Sequence, residues 1–269
     1  MTALTFKLKQ RTDQRVDMSP LVSQKLADME LPEMGAIELQ NGKAKVRVDQ
    51  LFNISGSDSQ NIVIENSFGK LDFIGKELEA GNIRIEGDVG AYLGMGMKSG
   101  AIEVTGNTDI YPACEMANGV LTINGNAGDF LAGALPGNRQ GMKGGTVIVK
   151  GDVGDRAGDH MRRGVLLIEG NAGDYCGSRM VAGTIAVLGE TGRYLGYAMN
   201  RGTLLLWNKP QLSVGFNDCG SHTLAFLPML LTSFKKFNCK FSEIDVFSRV
   251  QRYGGDVSAK GRGEILLKL

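Results

Sequence analysis

The sequence predicts an all-β chain that folds as a right-handed parallel β-helix, a solenoid with 19-residue coils, a small N-terminal cap and an α/β C-terminal cap. Three periodic features carry this prediction. A glycine recurs at a fixed spacing, two apolar residues follow it in strand-like alternation, and a methionine stands at one fixed position of each unit. A unit this short holds one clear strand, so successive units must stack in parallel to satisfy its backbone hydrogen bonds.

The repeat opens on a glycine, and successive opening glycines are 19 residues apart except for one interval of 26. They are Gly81, Gly100, Gly119, Gly145, Gly164, Gly183 and Gly202. The long interval contains an insertion of seven residues at 134–140. Because glycines return in every unit, we interpret them as corners of the backbone, and a phosphate loop in the glycine-rich stretch 164–183 is the weaker alternative.

Further columns run through the repeat. The second and fourth residues after each opening glycine are apolar in all seven units, which predicts a strand with one buried face. We expect the methionine column to be an internal stack of gap-filling side chains, with a metal or cofactor stripe as the alternative. It comprises Met97, Met116, Met142, Met161, Met180 and Met199. An aromatic column contains Tyr92, Tyr111, Phe130, Tyr175 and Tyr194, and Arg156 interrupts it.

The flanks fit the repeat poorly and divide the chain into three predicted regions. Residues 1–60 form an N-terminal cap with degenerate first coils, 61–208 the β-helix, and 209–269 a C-terminal cap or docking segment. Near the N-terminus the sequence predicts a strand in LTFKLK, a helix within 19–29 capped by Ser19 with Pro20 at its first position, and a degenerate coil in KVRVDQLFNIS. Near the C-terminus it predicts a helix beyond Pro228.

Composition excludes several classes of function. The net charge of +1 at 269 residues gives no basic field for nucleic acid. No apolar run is long enough for a signal peptide or a membrane span, so we expect no membrane association. The four cysteines are widely scattered without a CxxC pair, which favours a reduced chain in the cytoplasm.

Catalytic material is sparse, and we assign no catalytic residue and no metal ligand. The chain has two histidines, His160 at a coil corner and His222 in a Cys-Gly-Ser-His sequence with Cys219. That pair could supply two metal ligands, but an ordinary loop is the favoured interpretation. Acidic residues that follow the second corner glycine suit turn hydrogen bonding, and cation binding is the alternative.

Basic residues gather near the methionine corner. We single out Arg139, Lys143, Arg162, Arg163 and Arg201 as candidate binding residues for an anionic ligand or for an acidic partner. A solvated edge, partly neutralised by neighbouring acids, is the alternative, because adjacent coils bring these like charges close together.

Coils of the form GxIxIxGxxGDxxGxxMxxG, together with the ending RYGGDVSAKGRGEILLKL, resemble the GXGXG repeat of the formylmethanofuran dehydrogenase C-subunit family, which the C-terminal domain of glutamate synthases shares. The ending favours this C-subunit family, in particular its members from formyltransferase/hydrolase complexes. The resemblance implies a noncatalytic β-helix subunit of a complex that converts formyl-tetrahydromethanopterin to formate through a formyl-furan coenzyme, in one-carbon metabolism.

The resemblance also implies the partners. An amidohydrolase-like A subunit is hydrolytic, a D subunit has the formyltransferase activity, and a B subunit makes up the rest of the complex. No bound cofactor is implied for this chain beyond contact with a polyglutamyl furan coenzyme. Two alternatives stay open: the C subunit of a molybdenum- or tungsten-dependent formylmethanofuran dehydrogenase, and an independent enzyme that uses the solenoid face around His160 or His222.

Overall fold

The protein, seen in a computed structural model that describes residues 2–259 and 261–269, consists mostly of strands with few helices. Seventeen strands are present in this part of the chain. They are β1 (Ala3–Leu8), β2 (Val16–Asp17), β3 (Glu38–Asn41), β4 (Ala44–Arg47), β5 (Phe52–Ser55), β6 (Asp58–Ser67), β7 (Leu71–Asp72), β8 (Asn82–Gly87), β9 (Ala101–Val104), β10 (Val120–Ile123), β11 (Thr146–Val149), β12 (Val165–Ile168), β13 (Thr184–Val187), β14 (Arg201–Leu206), β15 (Asn217–Thr223), β16 (Arg249–Gly255) and β17 (Arg262–Lys268). The all-β expectation is therefore confirmed.

The helices are short and lie outside the repeat. They are α1 (Ser23–Leu26), α2 (Leu31–Ala36), α3 (Val48–Leu51), α4 (Phe226–Phe234) and a 3₁₀ turn at Lys240–Ser242. Among the helices of the described residues, none has the length and apolarity needed to cross a bilayer.

Thirteen strands form one large mixed sheet in the order β15-β16-β17-β14-β13-β12-β11-β10-β9-β8-β6-β1-β5, which stays open at both edges. Its centre, from β6 through β14 to β17, is parallel, and its margins are antiparallel. Repeat strands pair in register, so that Leu166 lies beside both Val147 and Ile185. A second ladder of isolated parallel bridges joins neighbouring units from Val89 to Thr191. Strands β4, β3, β2 and β7 make a separate small sheet.

The glycines serve two different purposes in this stack. Gly164, an opening glycine, has φ of +97°, and a Cβ there would lie 2.8 Å from the Gly145 carbonyl oxygen. Gly170, a second-corner glycine, has an ordinary φ, but its Cβ would come within 2.5 Å of the Gly151 carbonyl oxygen. At this second column the backbone of the preceding unit leaves no room for a side chain, so close approach rather than positive φ requires glycine.

The core confirms the apolar and methionine columns. Both apolar positions of each repeat strand are buried, and all six methionines of the column are 0% exposed. The opposite faces of β11 to β14 are also buried at Ile148, Leu167, Ala186 and Leu205, because α4 and the segment after it pack against them. The prediction of one buried face thus holds for β8 to β10 only.

The flanks differ from the sequence prediction at several boundaries. The first helix begins at Ser23 with Val22 as its N-cap, so Ser19 and Pro20 precede it in a turn. The segment KVRVDQLFNIS is not a coil, because it forms β4, α3 and the antiparallel edge strand β5. LTFKLK, predicted as a strand, is β1 and pairs in parallel with β6. Helix α4 begins before Pro228, which occupies its first turn where no intrahelical N–H is required.

Candidate functional site

The five predicted basic residues are all exposed, and four of them follow a methionine of the column by one or two positions; we call this set the basic edge: Arg139, Lys143, Arg162, Arg163 and Arg201. The methionine column positions it. The backbone N–H of Lys143 donates to the Met116 carbonyl at 2.7 Å, and that of Arg162 to the Met142 carbonyl at 2.8 Å. Each of these two basic residues is therefore fixed in the backbone by the unit before it, while its side chain extends into solvent.

Nearby carboxylates neutralise little of the positive charge on this edge. The Lys143 ammonium lies 3.9 Å from a Glu115 carboxylate oxygen. For the four arginines, no carboxylate within the described part of the chain is closer than 4.0 Å. Two other basic residues of the repeat differ, since Lys98 pairs with Glu79 and Arg179 pairs with Asp159. The edge thus carries positive charge that neighbouring acids leave largely uncompensated.

The acids after the corners hold the units together. The Asp152 side chain accepts a hydrogen bond of 2.7 Å from the Asn171 backbone N–H, and Asn171 accepts one of 2.8 Å from Glu190 N–H. A second ladder runs from Asp155 through Asp174, and the Arg193 guanidinium lowers the pKa of the Asp174 carboxyl. These side chains bind the backbone of the next unit rather than their own turn. Their position is therefore explained by stacking, without a bound cation.

The aromatic column is a stacked ladder in which a cation replaces one ring. Tyr111 and Phe130 stack with centroids 4.6 Å apart, and Tyr175 and Tyr194 stack at 4.7 Å. Between these pairs, the Arg156 guanidinium lies 4.7 Å from the Tyr175 centroid and 5.9 Å from that of Phe130. The backbone φ of Arg156 is +61°, the same left-handed conformation as its aromatic neighbours. Arg156 thus continues the ladder through cation–π contacts instead of ending it.

A buried carboxylate lies beside this interruption. Asp159 is 3% exposed and receives a hydrogen bond of 2.6 Å from the Ser178 hydroxyl. Arg179 binds the same carboxylate through two atoms, Nε at 2.9 Å and Nη2 at 2.6 Å. The Nδ1 atom of His160 lies 3.1 Å from its second oxygen. Such a fully engaged carboxylate holds the Arg179 and His160 side chains in fixed positions.

The seven-residue insertion closes over the same place. Its Asn138 side chain donates a hydrogen bond of 2.5 Å to Glu115, which anchors the loop. Beneath it is a cleft of about 390 Å³, which we call the insertion cleft. Its walls are the loop residues Ala134 to Asn138 and the side chains of Tyr111, Phe130, Arg156, Asp159, His160 and Arg179.

The polar groups of the cleft bind one another. Ser178 donates to Asp159 and not to His160, so this serine and this histidine are not paired as nucleophile and base. His222 is half-buried in strand β15 rather than in the expected loop, and its Nε2 lies 2.9 Å from the carbonyl oxygen of Cys219. Within residues 2–259 and 261–269, no group of three or more metal-binding side chains is present. Burial raises the pKa of the Cys114 and Cys176 thiols to about 12, which keeps them protonated.

The sequence singles out the basic edge, whose binding role stays a prediction, but not the insertion cleft. In the sequence Arg156 is a gap in the aromatic column and His160 is a corner residue, and Asp159 has no assigned role. The signal was present in the repeat: at the position of Asp159 other units carry Met95, Cys114, Gly133, Ser178 or Tyr197, none of which is charged. The polar group is therefore a local departure from the repeat.

The chain matches the GXGXG motif family over residues 44–218, which is more than half of its length. A repetitive parallel sheet with a glycine at the start of every repeat unit fits this class of protein. Among solved structures it is similar to a chain of the formyltransferase/hydrolase complex (FhcABCD) from Methylorubrum extorquens in complex with methylofuran. The identity is 34%, the TM-score is 0.90, and the match covers 98% of this chain and 99% of that one.

Curated relatives match over shorter segments. The C subunit of the formyltransferase/hydrolase complex Fhc of Methylorubrum extorquens is 36% identical over 89 residues, 33% of this chain and 34% of that protein. The C subunit of the tungsten-containing formylmethanofuran dehydrogenase 2 of Methanococcus maripaludis is 29% identical over 97 residues, 35% of this chain and 36% of that protein. The aligned part of the chain thus spans about a third of the length of these relatives. Together with the nearly full-length structural match, they show that the chain belongs to the family of formyltransferase/hydrolase C subunits.

Proposed function

We propose that this chain is the noncatalytic C subunit of a heteromeric formyltransferase/hydrolase complex in the cytoplasm. The complex converts formyl-tetrahydromethanopterin to formate through a formyl-furan coenzyme, with hydrolysis on an amidohydrolase-like A subunit and formyl transfer on a D subunit. The observation that carries the proposal is the match to a chain of such a complex at a TM-score of 0.90 over nearly the whole of both chains.

The scaffold proposed for this role is a right-handed parallel β-helix with 19-residue coils. Two parallel ladders with the same register support it, one through β8 to β14 and one through the isolated bridges. The right-handed sense follows the preference of parallel crossovers. In this proposal residues 1–60 are an N-terminal cap with degenerate first coils, 61–208 a central solenoid, and 209–269 a C-terminal cap or docking segment.

The basic edge is proposed to hold an anionic coenzyme tail or an acidic patch of a partner subunit. Its four arginines without a nearby carboxylate support this role, since guanidinium groups bind carboxylates well. A solved neighbour contains methylofuran, which makes a furan coenzyme the relevant ligand. Repeated weak contacts along an edge would retain a flexible tail without fixing it.

A second candidate function is that of the C subunit in a tungsten- or molybdenum-dependent formylmethanofuran dehydrogenase. The relatives from Methanococcus maripaludis favour it, at 29% and 30% identity. The metal chemistry of such a complex would belong to other subunits.

Co-purification tests the proposal and separates the two functions. The tagged chain, expressed in its native host, should bring down amidohydrolase-like and formyltransferase subunits identified by mass spectrometry. The assembly should release formate from formyl-tetrahydromethanopterin, and the isolated chain should not. A chain that purifies alone and active would contradict the proposal, and molybdenum- or tungsten-containing subunits in the assembly would favour the dehydrogenase.

A histidine variant tests the noncatalytic character of the chain within the same assembly. His222→Ala, in strand β15 and outside the sites described, should leave the activity within about tenfold, whereas losing a general acid or base typically costs about 100-fold or more. A larger loss with the assembly intact would favour an independent catalytic role for this chain.

A further inference from the structure

Three departures from the repeat meet at the insertion cleft. Residues 134–138 of the insertion line it, the cation of Arg156 replaces an aromatic ring in its wall, and the Asp159 group stands where other units carry uncharged residues. Stacking of the coils requires none of the three, because the remaining units stack without them. Local departures that cluster at one place in an otherwise consistent repeat are the expected sign of a functional site.

The charges of the cleft do not balance. Two guanidinium groups, those of Arg156 and Arg179, line it together with a single carboxylate, that of Asp159. Asp159 is engaged with Arg179 through two hydrogen bonds, so Arg179 is the neutralised cation. Arg156 lies within 4.0 Å of no carboxylate among residues 2–259 and 261–269. One positive charge is therefore left over, in a wall made of aromatic rings.

The geometry of Arg156 leaves its donors available. Phe130 and Tyr175 contact the guanidinium as cation–π partners, and within the described chain its side chain donates no hydrogen bond. Cation–π contact uses the faces of a guanidinium, whereas hydrogen bonds leave from its edge in the plane of the group. A planar acceptor with two oxygens fits that edge in bidentate fashion.

We propose that the insertion cleft is a binding site for a single carboxylate group, held by Arg156 between its two aromatic neighbours and covered by the loop at 134–140. Asp159 acts as a positioning residue, since it fixes Arg179 and His160 at the wall of the cleft. The carboxylate has two sources with the same chemistry, a free polycarboxylate ligand or an Asp or Glu side chain of a partner subunit. None of the residues that line this cleft belongs to the basic edge, although Arg139 of that edge lies in the same loop.

The repeat itself supplies the test variant. Arg156→Tyr restores the aromatic column, so it should stack with Phe130 and Tyr175 and keep the fold while removing the donor. Arg156→Lys retains the charge but loses the bidentate edge. Lys76→Gln is the matched control, because Lys76 is the cation 5.3 Å from Phe73 at the far end of the same ladder. Equal melting temperatures for all four proteins would show that the ladder is intact.

The first experiment uses the full-length chain and tri-glutamate as the carboxylate probe, with N-acetylated, C-terminally amidated tri-glutamine as the uncharged comparison. Calorimetric titration at low salt should show tri-glutamate binding to the wild type and to Lys76→Gln. Binding should be at least about tenfold weaker in Arg156→Tyr, because one charge-assisted bidentate contact is lost, and intermediate in Arg156→Lys. The blocked tri-glutamine should not bind to any of the four, because it carries no carboxylate.

The second experiment measures assembly with the partner subunits and rests on the proposed function. If a partner side chain is the source, Arg156→Tyr should weaken assembly at least about tenfold against Lys76→Gln, whether or not tri-glutamate binds. If the wild type forms no complex, the proposed function fails while the titration still tests the site. Equal behaviour of Arg156→Tyr and Lys76→Gln in both experiments, or no binding of either kind by the wild type, overturns the carboxylate site.

Discussion

The carboxylate of Glu169 accepts a hydrogen bond of 2.6 Å from the backbone N–H of Lys240, which lies 71 residues further along the chain. Glu169 follows β12 directly and is buried, and Lys240 begins the 3₁₀ turn after α4. The contact fastens the C-terminal segment to the outer face of the repeat, where it covers Leu167 and Leu205. The C-terminal region is thus attached to the side of the sheet as well as to its end.

Removing this carboxylate should loosen the C-terminal segment. Glu169→Ala leaves the Lys240 N–H without its acceptor, which should lower the free energy of unfolding by about 1–3 kcal/mol. Hydrogen exchange at 226–242 should become faster. Glu86→Ala is the matched control at the same repeat position, where the side chain is exposed, and it should change stability by no more than about 0.5 kcal/mol. Urea denaturation measures the stability of both variants. Equal losses of stability would contradict a stabilising role for the contact between Glu169 and Lys240.

The same substitution should destabilise the protein on one face of a strand and be tolerated on the other face. In β10, Leu121 is 0% exposed, whereas Thr122 points to the other, partly exposed face. Leu121→Asp buries a carboxylate without a partner and should prevent soluble expression, or remove several kcal/mol of stability. Thr122→Asp should remain soluble with a melting temperature within a few degrees of the wild type. A folded Leu121→Asp variant would show that the core has been assigned to the wrong face of the strand.

Periodicity allowed the sequence to predict the repeat strands, because each column has a single physical cause that recurs in every unit. Leu121 and Ile123 are buried for the same reason as Leu166 and Ile168. The last strand of the stack, β17, lies outside the repeat and therefore has no recurring sequence pattern that predicts its place. Strand β17 pairs in parallel with β14, with Gly263 opposite Gly202 and Ile265 opposite Leu204, although the chain between them makes α4 and a hairpin first. A partner that is separated by 61 residues has no local signal.

The candidate site also has one part that the repeat in the sequence predicts and one part that it does not. The basic edge could be singled out because a basic residue follows four of the six methionines of the column within two positions. The insertion cleft could not, because its parts come from four different units and from the one insertion. Arg156 is informative only when its cation is found stacked between Phe130 and Tyr175. Asp159 is informative only when Ser178 and Arg179 are found on its oxygens.

The methionine column should resist oxidation in the native protein. Its six side chains are 0% exposed, whereas Met229 on α4 is 78% exposed and provides an internal control. Mild peroxide should therefore convert Met229 to the sulfoxide first, and the column only after unfolding. Peptide mass spectrometry over a time course distinguishes the positions. Native oxidation of Met142 or Met161 as fast as that of Met229 would show that the column is accessible and would reopen its interpretation as a ligand stripe.

The basic edge should bind its ligand or partner through positive charge, and varying the salt concentration isolates this electrostatic contribution. Arg162→Ser with Arg163→Ser removes two exposed cations that no carboxylate within the described chain neutralises, and the double control Lys45→Ser with Arg84→Ser removes the same charge elsewhere on the surface. At low salt the Arg162/Arg163 variant should weaken furan-coenzyme use or assembly about 3- to 10-fold, as expected for two exposed contacts of modest energy. The difference from wild type should shrink at about 0.5 M salt, because the screening length then falls to about 4 Å and the wild type loses the same contacts. Equal coenzyme affinity and equal assembly for the variant and the control at low salt would leave this edge as solvated surface.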